Sequence, residues 1–70
     1  MRIDLGDYVM LKPAAVETLL HQGYSLAGEI AEVTDCQIVP DGIDLTLRFD
    51  TAKVMLREVP IQFVHHVALA

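Results

Sequence analysis

The clearest hydrophobic pattern in the chain runs from Ile43 to Asp50. Ile43, Leu45, Leu47 and Phe49 alternate with Asp44, Thr46, Arg48 and Asp50, which is the period-two signature of a strand with one buried face. Pro40-Asp41-Gly42 precedes it and reads as a turn, with proline fixing one φ and glycine free to take a positive one. Asp50-Thr51-Ala52-Lys53 reads as a second turn. Val54–Val59 follows as another strand, in which Val54, Leu56 and Glu58 face opposite to Met55, Arg57 and Val59. Pro60-Ile61-Gln62 breaks the ladder and suits a one-turn 3₁₀ link, leaving Phe63–Leu69 as the last strand.

The first half is less regular. Asp7–Lys12 reads as a strand opened by the turn-like Leu5-Gly6. Pro13 suits the first turn of a helix, where its missing N–H costs nothing. Val16, Leu19 and Leu20 form an apolar stripe, and Gly23 falls where a left-handed C-terminal cap would sit, with Tyr24 packing back on the last turn. Residues 13–22 therefore read as a short helix that must dock to be stable. From Gly28 to Val33 the apolar side chains of Ile30 and Val33 are three apart, which predicts a bend or bulge near Ala31. Cys36, Ile38 and Val39 continue this strand.

The chain is thus expected to be mainly β: a small five-stranded barrel with one short helix inserted after the first strand, as a single domain over residues 1–70. Closure is the economical arrangement for short strands because it removes exposed edges. Ile30, Leu45, Leu47 and Phe49 are the expected interior.

This layout resembles the SH3-like small barrels, including KOW-type modules. The residues that carry the resemblance are Gly6-Asp7-x-Val9, Gly28-Glu29-Ile30, Leu45-x-Leu47-x-Phe49-Asp50 and Val59-Pro60-Ile61-Gln62-Phe63. The helix at 13–22 departs from it, taking the place of the first long loop. The aromatic-rich surface with which SH3 domains read proline motifs is not visible, since the aromatic residues are Tyr8, Tyr24, Phe49 and Phe63, with no tryptophan. The order of elements over residues 14–69 also resembles Sm-like barrels, with Pro60–Gln62 as the turn before the last strand. Both resemblances imply a fold; the fold hosts unrelated functions.

Composition narrows the function classes. The net charge is −5, from ten acidic and five basic side chains, which disfavours nonspecific attachment to phosphate backbones. Three of the bases, Arg48, Lys53 and Arg57, fall close together and form the alternative nucleic-acid strip of a KOW- or Sm-type accessory module. An acidic mimic that occupies a basic protein's site is a further alternative. Cys36 is the sole cysteine, so no internal disulfide can form, and a lone thiol fits a reducing compartment, most simply the cytoplasm. Neither a signal peptide nor a membrane span is expected.

No catalytic residue, cofactor or metal site is expected. His65 and His66 are strand neighbours that point to opposite faces. Cys36 is expected in the core or half-buried, beside Asp35, whose charge opposes a reactive thiolate. Glu29/Glu32 and Asp41/Asp44 are expected as solubilising charges. What stands out is an apolar surplus: 53% of residues are hydrophobic, more than a small interior holds. Met55, Val59, Val64, Val67 and Leu69 are the candidate partner-binding residues, and the expected role is a non-enzymatic interaction or regulatory subunit that binds a protein partner, a second copy of itself, or both.

Overall fold

The computed structural model describes residues 3–23 and 25–68. In chain order the elements are β1 (Tyr8–Leu11), α1 (Pro13–His21), β2 (Ile30–Val39), β3 (Gly42–Phe49), β4 (Val54–Pro60), a 3₁₀ turn (Ile61–Phe63) and β5 (Val64–Val67). The five strands form one antiparallel sheet in the order β4-β3-β2-β1-β5. The protein is mainly β, with one short helix after the first strand, and the sheet is compatible with a small barrel-like fold.

β2 is the strand that makes one sheet into two halves. Its first residues pair with β1, from Met10 opposite Ile30 to Tyr8 opposite Glu32. From Glu32 onward it pairs with β3, as far as Val39 opposite Gly42. The register shifts between Val33 and Asp35, so the bulge lies at Thr34 and not near Ala31. Before it the chain alternates Ala31 and Val33 inward, both almost fully buried. Ile30, expected inside, stands 42% exposed. A small alanine occupies the inner position, and its larger neighbour faces out.

β3 follows its alternation: Leu45, Leu47 and Phe49 are buried, and only Ile43, near the hairpin tip, is exposed. β4 does not follow its own. Leu45 is opposite Val59 but Leu47 is opposite Leu56, so Arg57 and Glu58 together face Thr46. Glu58 takes φ 57°, a left-handed conformation that kinks an extra residue into the strand. The inserted residue reverses parity, so Leu56 and Val59 both point inward, with Val59 only 7% exposed.

The helix begins as its sequence dictates, with Pro13 in the first turn. It ends at Gly23, whose φ of 92° is a conformation glycine takes without a Cβ clash. Gly23 N–H donates to the Leu20 carbonyl at 3.0 Å. Ala15 is buried, and Val16 and Leu19 pack half-buried against the core. Leu20, expected on this stripe, is 58% exposed. The packing role of Tyr24 lies outside the described residues. Ala15 and Leu19 share a cavity with Leu56, Val59, Pro60 and Phe63, so α1 lies over the corner where β4 enters the 3₁₀ turn. Val9, Val64, Leu26 and Ile3 complete the core.

Candidate functional site

The expected partner-binding residues do not form one surface. Val59 and Val64 are core residues, Val64 with no exposed area; the β4 bulge turned the first inward, and the second faces the interior directly after the 3₁₀ turn. Met55 is half exposed and Val67 half-buried. These two lie at opposite ends of one row across the sheet, Val67–Tyr8–Glu32–Arg48–Met55, four inter-strand steps of about 4.8 Å each. Leu69 lies outside the described residues.

The basic strip is also differently placed. Arg48 donates from a terminal guanidinium nitrogen to Glu32 Oε1, its cross-strand neighbour, and its Nε lies 3.0 Å from Asp50 Oδ1. Arg57 lies in an open depression of about 490 Å³ on the outer face with Asp35, Gln37, Thr46, Met55 and Glu58. Lys53 occupies the β3–β4 turn, with φ 55°. Acidic groups therefore neighbour both arginines.

Cys36 shares the face of Leu45, its cross-strand partner, yet it is exposed, contrary to the core or half-core position its sequence suggests. β2 and β3 extend past the core here, and Ile38, at 88% exposure, lies farther along the same overhang. Loss of hydration around the thiol raises its pKa, and the charges of Asp35, Asp4 and Asp7 raise it further. A thiol held protonated is a poor nucleophile. His65 and His66 are both exposed; His66 Nε2 lies 3.8 Å from Asp7 Oδ2. Among the described residues, no group of three or more His, Cys, Asp or Glu side chains is placed to hold a metal ion, and no helix is long and apolar enough to cross a membrane.

The apolar surface that does form lies elsewhere. A groove of about 470 Å³ runs between α1 and the β1 side of the sheet, lined by Met10, Pro13, Val16, Leu20 and Ala27, with Glu17 and His65 also on its walls. Ile30 is the cross-strand neighbour of Met10 and extends this surface along the sheet. Tyr8, two residues from Met10 on the same face of β1, extends it further. Leu20, Ile30 and Tyr8 are all substantially exposed. Sequence reasoning missed this site because Leu20 and Ile30 sit at positions that read as core. Their surplus over the true inner positions, Ala15 and Ala31, was the available signal. No known family model matches the chain, and neither does any curated protein or solved structure.

Proposed function

We propose that this chain is a non-catalytic interaction module, an acidic SH3-like barrel that binds a protein partner through the groove between α1 and β1. The observation that supports this most is the exposure of Leu20 and Ile30 on either side of the half-buried Met10, around an open, apolar-lined depression. Isolated surface aliphatics are ordinary, but a concave cluster of them is a usual feature of binding surfaces. The helix in place of the first long loop supplies one wall and the outer face of β1 and β2 the other.

The partner surface that fits is apolar at its centre, with basic residues at its margin to meet Glu17 and the net negative charge. Burial of Met10, Leu20 and Ile30 gives affinity that survives salt, whereas the charged rim affects mainly the association rate. The test is capture from nuclease-treated native lysate at low and high salt, with wild type, Leu20→Asp and Ile30→Asp side by side. A stoichiometric protein retained by wild type at high salt and lost by both variants is the expected result. Equal retention by all three would overturn the groove. Capture seen only when the nuclease is omitted, and lost on Arg48→Ala and Arg57→Ala, would favour the KOW- or Sm-type alternative.

A further inference from the structure

The two free edges of the sheet are not alike. β4 carries the Arg57–Glu58 bulge, a left-handed Glu58 and Pro60, each of which obstructs pairing with another strand. β5 has none of these among the described residues. It is a regular extended segment, Val64-His65-His66-Val67, with no carboxylate or permanently charged side chain.

The register shows which backbone groups β5 leaves open. Lys12 N–H donates to the Phe63 carbonyl at 2.8 Å, so Lys12 and Phe63 form a hydrogen-bonded pair at the end of the β1–β5 ladder. Antiparallel pairs alternate between bonded and non-bonded, so Met10–His65 and Tyr8–Val67 are bonded pairs. Val33 N–H donating to the Asp7 carbonyl at 2.9 Å confirms the phase, because it turns the odd residues of β1 toward β2. The N–H and C=O of His66 and the C=O of Val64 therefore point to the open edge, followed by the groups of Ala68 if the chain stays extended. The Val64 N–H is already used, donating to the Ile61 carbonyl.

We propose that two copies of the chain join by antiparallel pairing of their β5 strands about a two-fold axis through His66. This register uses both free groups of His66 and the free carbonyl of Val64, and leaves only the Ala68 carbonyl opposite the occupied Val64 N–H. His66 exchanges two hydrogen bonds with His66 of the second copy, and each Ala68 N–H donates to a Val64 carbonyl. A register centred on His65 would make only the two bonds from His66 N–H to Val64 carbonyls and leave both His66 carbonyls opposite occupied N–H groups. On the outer face, His65 of each copy lies opposite Val67 of the other, and the flanking Met10 and Tyr8 of each copy make the apolar band continuous across the joint. In a chain of net charge −5, β5 itself carries no carboxylate, and the neighbouring Asp7 lies 3.8 Å from the His66 imidazole of its own copy. This pairing adjoins the partner groove, sharing His65 and Met10 with it, and does not require it.

Sedimentation velocity and light scattering on the purified full chain over a concentration series test the pairing. Wild type is expected to approach twice the 7.7 kDa monomer mass. His66→Pro removes the central donor without touching a bond to β1, and it is expected to weaken dimerisation roughly tenfold or more. Ala68→Pro, outside the strand, removes the two flanking donors and is expected to act in the same direction. Met55→Lys on the opposite edge and Leu20→Asp in the groove are expected to leave the mass unchanged, with circular dichroism verifying that each variant is folded. A monomer throughout the series would overturn the pairing while leaving the groove reading intact. A dimer indifferent to both prolines, a dimer lost in Met55→Lys, or an open-ended series of larger assemblies would also overturn it.

Discussion

Replacing Val59 by alanine separates two descriptions of β4 that make opposite demands. Uninterrupted alternation places Val59 on the outside with Met55, whereas the Arg57–Glu58 bulge places it inside against Leu45 and Leu56. At 7% exposure nearly all of the side chain is removed from water. Valine to alanine deletes two carbon groups, each worth about 0.8 kcal/mol when buried, and the residual cavity adds to this. The expected loss is about 2 kcal/mol. A chain of 70 residues has a total stability of roughly 3–10 kcal/mol, so this is a large share. For a domain of this size each kcal/mol moves Tm by about 4–8 °C, giving a drop of roughly 8–16 °C. The assay is thermal unfolding by circular dichroism together with urea titration, with Met55→Ala as the exposed control. The midpoint should fall for Val59→Ala with little change in the urea slope, and barely move for Met55→Ala. A shift for Val59→Ala as small as that of Met55→Ala would refute the inward placement and with it the bulge.

Three further outcomes follow from the same structure. Glu58→Gly should raise the urea midpoint, by up to about 1 kcal/mol, because glycine takes φ 57° without the Cβ clash and this relief exceeds its entropic cost; a lower midpoint would mean that Glu58 is not held in that conformation. Arg48→Ala should cost no more than about 1 kcal/mol, since its pairs with Glu32 and Asp50 are solvent-accessible and screened; a larger loss by urea titration would count against an exposed network. Cys36 should react with iodoacetamide more slowly in the folded chain than in urea at mildly alkaline pH, because its thiol pKa is raised in the folded state. By the same linkage, the stabilising contribution is complete below the unfolded thiol pKa and is lost as pH rises through the folded one. Cys36→Ser should therefore flatten the alkaline limb of the stability profile, and an unchanged limb would contradict the shift.

The elements with a strong local signal were legible in the sequence. β3 could be read from strict alternation, and α1 from Pro13 at its start and Gly23 at its end. The turn at Pro40-Asp41-Gly42 and the 3₁₀ turn after Pro60 were legible from backbone chemistry. What could not be read were the places where one residue changes the parity of a strand. A bulge with glycine in the left-handed position announces itself, but β4 puts Glu58 there, and nothing in Val54–Val59 marks it. The bulge at Thr34 likewise falls between residues that carry no turn signal. These slips decided the candidate site, since parity alone determines whether Val59 or Ile30 meets solvent. Size misled in the same direction: Ala15 of α1 and Ala31 of β2 take the inner positions, and the larger Leu20 and Ile30 are left outside.

The most direct measurement of the proposed role is a chemical-shift map of the isotopically labelled chain titrated with the partner recovered by capture. Amide shifts are expected to cluster at Met10, Val16, Leu20, Ala27 and Ile30, with Arg48, Lys53 and Arg57 little changed. Shifts confined to Arg48, Lys53, Met55 and Arg57, toward the β4 edge of the sheet, would contradict the groove as the binding surface.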